Sequence, residues 1–234
     1  MQRNDQSSRV HRTEDEETFR RIDVAAIIDG AQVLLDDGAY SILSLNNASA
    51  AAWWGRGTRW CTAGSGWFAG YRQYGELIYL EHRPKGRRWQ LYFHTCEFRN
   101  ARNRRVNGQV FARGHPRVID ALYTRIMADW RATLFFGLMA DGTRIDHSVN
   151  LRRIPIESLP SGLQIRDDLD LRSTGIRSLP EGLKVGGDLL LSAQATPTLP
   201  ADLEVGGGIL CCNRWGAVDR PVTAALHAGR IIDE

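Results

Sequence analysis

Lysine is almost missing from this chain. Of its 30 basic residues only Lys85 and Lys184 are lysine, so arginine carries nearly all the positive charge. Cysteine is also scarce, four in 234 residues, which excludes a disulfide-stapled scaffold and fits a reducing compartment. No apolar run approaches the roughly 20 residues of a membrane-spanning helix, so no membrane partner is expected. The polar start (MQRNDQSSRVHRTEDEETFRR) lacks the apolar stretch of a secretory signal. A cytoplasmic location, in a bacterium or in a host cell, is the expectation. Apolar residues at 43% and charged residues at 24% exclude wholesale disorder and allow a packed core. A net charge of +3 argues, taken alone, against a partner of strongly negative charge.

The distribution of charge reverses that argument. Residues 1–55 are net −4 and residues 139–218 net −2, while residues 56–117 hold thirteen bases against three acids, net +10. A block of that kind attracts phosphates or an acidic protein face. A solvated surface encoded by an arginine-rich genome explains it equally well.

A repeat dominates the C-terminal half. Ser158-Leu159-Pro160 returns as Ser178-Leu179-Pro180 and as Thr198-Leu199-Pro200, a period of 20. The neighbours keep the register: Leu163, Leu183 and Leu203; Ile165, Val185 and Val205; Leu169, Leu189 and Ile209; Leu171, Leu191 and Cys211. A degenerate earlier copy places Met139, Gly142, Ile145, Val149, Leu151 and Ile156 at equivalent positions. Short apolar alternation with one turn signal per unit is strand-like, and stacked copies bury what a single unit cannot. Leu169-Asp170-Leu171 through Ser178-Leu179-Pro180 resembles the leucine-rich repeats, with Thr174 where that family usually has asparagine. The resemblance implies a solenoid and a binding surface. The 20-residue unit and its Leu-Pro are also similar to the repeats of bacterial secreted effector ubiquitin ligases. Those carry a Cys-x-Asp catalytic domain after the repeats. Here residues 219–234 follow as a candidate capping helix, and ligase activity is not expected.

The expected organisation is a disordered tail (1–16), an α+β domain rich in Trp and Arg (17–138), four repeats (139–218) and a capping segment (219–234). The fold class is α+β with a central β-hairpin, followed by a short leucine-rich-repeat-like β-solenoid. Asn46 or Asn47 is a candidate N-cap for a helix over Ala48–Trp54. Trp67–Tyr74 reads as a short helix. Glu76–His82 and Trp89–Thr95 read as strands joined through Arg83–Arg88, whose Pro84 and Gly86 mark a turn. Val118, Ile119, Leu122, Tyr123, Ile126, Met127 and Trp130 form one apolar helical stripe after Pro116. Five of the seven tryptophans fall within 37 residues, among the arginines. Core packing accounts for most of them; stacking on bases or guanidinium groups is the functional alternative.

The segment from Gly55 to Ala63 (GRGTRWCTA) resembles an uncharacterised domain of phage and bacterial proteins with a GxxTxWCTA signature, which carries no transferable activity. Within it Cys61 is the candidate nucleophile, with Arg56 and Arg59 near in sequence and His94, His82 or His115 as a base. The alternative reading of a cysteine between Trp60 and Thr62 is a buried small hydrophobe. His94 and Cys96 alone do not make a zinc site, so no metal and no cofactor are expected. Arg56, Thr58 and Arg59 are a candidate anion cradle, and Lys85, Arg87 and Arg88 a candidate cationic hairpin tip.

Three readings follow. The first is a soluble interaction protein of phage or bacterial effector type that binds a protein partner through the repeats and the Arg-rich face. The second is an enzyme or nucleotide-binding domain centred on Cys61. The third is nucleic-acid binding by residues 56–117.

Overall fold

The computed structural model describes residues 24–64, 66–73, 75–193, 197–212 and 218–222. The chain forms two compact units. One runs to His94 and takes in Arg99–Arg104; the other holds Thr95–Phe98 and the chain from Arg105 onward. The tail expected over 1–16 lies outside the described residues.

The first unit is α+β. Its strands β1 (Ala31–Asp36), β2 (Tyr40–Leu45), β3 (Leu77–His82) and β4 (Arg87–Tyr92) pair antiparallel in that order, and the next strand, β5 (Glu97–Asn100), has Glu97 and Phe98 in the second unit and Arg99 and Asn100 in the first. A helix, α1 (Val24–Asp29), leads into β1. The sequence pattern does not mark that first strand. It lies at the sheet edge with Val33 60% exposed, and a register shift between Val33 and Leu35 breaks its alternation. Helix α2 (Ala48–Gly55) starts where the sequence places it. Asn47 is extended, and its Oδ1 accepts the Ala50 N–H at 2.8 Å. Helix α3 is shorter than expected, Phe68–Arg72. Between β3 and β4 the chain turns through Arg83–Lys85, with Gly86 left-handed, as the Pro and Gly signals imply. At that turn both terminal nitrogens of Arg83 donate to the Asp36 carboxylate, at 2.5 and 2.8 Å.

Alternate residues of a strand share a face, and one face of this sheet carries Leu43, Leu45, Leu77, Tyr79 and Tyr92. Ala50 and Ala51 of α2, Trp60, and Phe68 of α3 cover it. The segment between α2 and α3, where the signature motif lies, is therefore part of the layer that seals the core.

The second unit opens with helices α4 (Gly108–Gly114), α5 (Pro116–Met127) and α6 (Trp130–Phe136). Phe98 makes edge contacts with Phe111, Phe135 and Phe136. The apolar stripe expected to run through Trp130 is corrected here. Val118, Ile119, Leu122 and Ile126 are buried, while Tyr123 and Met127 stay 53% and 45% exposed. The stripe also ends sooner: α5 stops at Met127, and Asp129 caps α6 by accepting the Arg131 N–H at 2.8 Å.

The repeats form a parallel β-solenoid, two short strands per coil. One sheet stacks β6 (Arg144–Ile145), β8 (Gln164–Ile165), β10 (Lys184–Val185) and β12 (Glu204–Val205). The other stacks β7 (Val149–Asn150), β9 (Leu169–Asp170), β11 (Leu189–Ser192) and β13 (Ile209–Cys212). The pairing is the 20-residue register itself. Ile145, Ile165, Val185 and Val205 form one column, and Val149, Leu169, Leu189 and Ile209 another. The degenerate first copy thus stacks in place.

Side chains reinforce the stacking. Asp168 Oδ1 accepts the Asp188 N–H and Asp188 Oδ1 accepts the Gly208 N–H, each at 2.8 Å and each one coil apart. Gly186 lets consecutive coils approach so closely that an added Cβ would overlap the Arg166 carbonyl oxygen. At the other end of the unit, buried Gln109 of α4 grips the first Leu-Pro turn. Its Oε1 accepts the N–H groups of Glu157 and Ser158, and its Nε2 donates to the Ser158 carbonyl at 2.8 Å. The candidate capping helix over 219–234 is corrected in its first residues: Val218–Val222 form β14, antiparallel to β13. The last parallel strand would otherwise leave a row of backbone donors and acceptors at an open edge. Residues 223–234 lie outside the described residues.

Candidate anion-binding face and the Cys61 turn

After α2 the chain makes a tight turn whose polar groups satisfy one another. The Thr58 hydroxyl donates to the Gly55 carbonyl at 2.6 Å, and the Thr58 N–H donates to the same oxygen at 3.0 Å. Trp60 then enters the core, 6% exposed, and its indole N–H donates to the Asn100 carbonyl at 2.7 Å. Thr62, buried in the following turn (Cys61–Ala63), donates to Oε1 of buried Gln90 at 2.5 Å. Gly55 is held to glycine because a Cβ there would lie 2.6 Å from the Cβ of Ala63. Five residues of the GxxTxWCTA signature, Gly55, Thr58, Trp60, Thr62 and Ala63, are accordingly explained by folding alone. Arg56, Gly57, Arg59 and Cys61 are the residues of the segment that are exposed.

These arginines do not stand by themselves. Ala101 bridges two segments: its N–H donates to the Arg88 carbonyl at 3.0 Å and its carbonyl accepts the Arg59 N–H at 2.9 Å. Arg88 reaches back to donate to the Arg56 carbonyl at 2.9 Å, and the Arg56 guanidinium lies 3.9 Å above the Trp53 ring. Next to Ala101, exposed Arg102 and Arg104 are presented by a loop that Asn100 builds. Asn100 Oδ1 accepts both of their backbone N–H groups, at 3.0 and 3.1 Å. The fold therefore gathers Arg56, Arg59, Arg88 and Arg102 from three separate stretches of chain. Among the described residues Arg56, Arg59, Arg102 and Arg104 have no carboxylate partner. Lys85 and Arg87 are exposed at and beside the β3–β4 turn. Arg88 is half-buried and also approaches Tyr79, which hydrogen-bonds Glu81 at 2.9 Å. Burial, then the Glu81 carboxylate, pushes the Tyr79 phenol well above its ordinary value, and Arg88 opposes that shift.

Cys61 is exposed, and its sulfur lies 3.4 Å from the Tyr71 hydroxyl. Of the candidate bases, His82 stacks on Tyr40 at 4.8 Å and His115 on Phe111 at 4.4 Å. The side chain of His94 lies outside the described part of the structure. Cys96 is buried, and desolvation, then the Asp129 carboxylate, pushes its thiol up to about 12 against a partial offset from Arg131. Among the described residues no three His, Cys, Asp or Glu side chains gather as metal ligands, and no helix is long and apolar enough to cross a membrane.

Arg102 and Tyr71 are site residues that the sequence reading does not single out. Arg102 had a readable signal, the Asn100-Ala101-Arg102-Asn103 run, whose asparagines mark a tight turn. Nothing in the sequence placed that turn beside Arg59.

The fold and this face define an α+β unit with an arginine cluster, joined in one chain to a parallel β-solenoid. No family model, curated protein or solved structure matches the chain.

Proposed function

We propose that this is an interaction protein that engages an anionic macromolecular partner, foremost an acidic protein surface, through the arginine cluster of its first unit. The observation that carries the reading is the backbone bridge at Ala101, which collects arginines from 56–59, 88 and 102 onto one region. Holding several guanidinium groups together is electrostatically unfavourable unless a counter-charge is brought to them. Arginine also pairs carboxylates and phosphates in a bidentate manner, so the near-absence of lysine suits this role. The repeats, read as leucine-rich, supply a second binding surface, as in a phage or effector protein acting in a cytoplasm.

The test is fluorescence anisotropy with labelled polyglutamate and with a labelled single-stranded oligonucleotide of equal length. Combined Arg56→Ser, Arg59→Ser and Arg102→Ser changes should weaken polyglutamate binding about tenfold at low salt and flatten its salt dependence. Unchanged binding in the triple variant refutes the reading. Much tighter binding of the oligonucleotide, with a steep salt slope, transfers the face to nucleic acid.

A second reading rests on the exposure of Cys61, two residues along the chain from Arg59: the thiol acts as a nucleophile. Cys61→Ala should then abolish an activity without shifting the thermal melt, whereas a pure binder keeps its affinity.

A further inference from the structure

We infer that a separate cleft, built entirely within the second unit, is a binding site for a compact polyphosphorylated anion. The cleft has a volume of about 900 Å³, and Arg105, Arg153 and Arg177 line it together with Ser173, Thr174 and Glu157. That volume suits a ligand larger than a single phosphate and falls in the range of small-molecule sites.

The charge of the wall is positive. Glu157 is the carboxylate in the lining, and Arg113, outside it, already pairs with Glu157 at 2.9 Å. The lining thus carries three arginines against one carboxylate, and one of the three, Arg105, is steadied by its bond to the Arg153 carbonyl. They arrive from different stretches of chain, which suits several oxygens at different angles better than one planar carboxylate. The hydroxyls of Ser173 and Thr174 add smaller donors, although the Thr174 hydroxyl also bonds the Leu171 carbonyl at 2.8 Å. No aromatic side chain lines the cleft among the described residues, so the site has nothing on which a nucleobase would stack. That favours a phosphate-dense ligand over a nucleotide.

The wall is also fixed in place. Arg153 and Ser173 occupy the same position one repeat apart, and both are left-handed, with φ of 64° and 59°. Glycine or asparagine adopts that conformation at lower cost, yet the chain carries an arginine at the first of these turns. Each turn is tied to the next coil, Arg153 N–H to the Arg172 carbonyl at 2.9 Å and Ser173 N–H to the Ser192 hydroxyl at 2.8 Å. Arg105 donates through Nη1 to the Arg153 carbonyl, which joins two of the three arginines at the backbone.

Isothermal titration with sodium tripolyphosphate tests the site. The background is full-length protein already carrying Arg56→Ser, Arg59→Ser and Arg102→Ser, which removes the face discussed above. One tripolyphosphate per chain should bind to it. Adding Arg153→Gly and Arg177→Ser should weaken binding about tenfold or more. The glycine keeps the left-handed turn and deletes only the side chain, and an unchanged thermal melt shows that folding survives. Glu157→Gln should act in the opposite direction and tighten binding severalfold, because it removes a carboxylate and releases Arg113. A merely structural role for these residues would not raise affinity. Absence of binding to the background protein, affinity unaffected by Arg153→Gly with Arg177→Ser, or weaker binding in Glu157→Gln each overturns the inference.

Discussion

The Thr62 hydroxyl donates to Gln90 Oε1 across 2.5 Å, and both side chains are sealed from solvent at 1% and 7% exposure. This bond joins the signature turn to strand β4 from beneath. It explains why a threonine follows Cys61: the cysteine points outward, and the next residue must bring a polar group into the core that Gln90 can satisfy.

Thr62→Val keeps the shape and removes the donor, leaving a buried amide oxygen without its partner. The expected cost is about 1–3 kcal/mol in urea unfolding. Adding Gln90→Leu should recover most of that loss, since two apolar groups of similar shape leave nothing unsatisfied. A double variant less stable than Thr62→Val would show that Gln90 contributes through other contacts.

The cysteines should separate by accessibility. With a thiol-reactive chromophore at pH 8, Cys61 should label in the native protein, while Cys96 and Cys212 wait for unfolding. Peptide mapping of the labelled protein checks this. Native labelling of Cys96 ahead of Cys61 contradicts the burial described.

Cys96 also makes stability depend on alkaline pH. Its folded value, about 12, lies above the ordinary 9.0, so the native state holds a proton that the unfolded state releases. The associated stability is complete below about pH 9 and is lost as pH rises toward 12. Denaturant midpoints measured across that window should fall less steeply for Cys96→Ala than for the parent.

Two glycines should respond with opposite signs. At Gly186 an added methyl meets the Arg166 carbonyl of the preceding coil, and Gly186→Ala is expected to cost about 1–3 kcal/mol. In α3, a Cβ on Gly70 meets nothing within 4 Å, and Gly70→Ala should stabilise by about 0.5–1 kcal/mol. Thermal melts of the two variants decide it.

Legibility tracked the range of the interactions. The β-hairpin, the Asn47 cap and the 20-residue register were readable because each depends on residues a few positions apart or on a strict repeat. Edge strand β1 was not, since its pairing with β2 overrides a sequence interrupted by Gln32 and Asp36. Gln109 gave no sign of its role either. A lone glutamine is ordinary on a helix, and only the approach of Glu157 and Ser158 makes it a buried clasp.

The chain's most conspicuous shortage, lysine, meets its counterpart in the site. Sequence by itself determined that arginine carries the charge, that it is concentrated over 56–117, and that leucine-like residues stack every twenty positions. Those are properties of composition and period. Which arginines converge was decided only by tertiary structure. Arg59, Arg88 and Arg102 meet through two backbone hydrogen bonds of Ala101, and bonds between strands and loops 13 to 42 residues apart leave no trace in local pattern. The same holds for the cleft of Arg105, Arg153 and Arg177: Arg105 precedes the helices of the second unit, Arg153 and Arg177 lie in successive repeats, and only the tertiary fold brings the three to one wall.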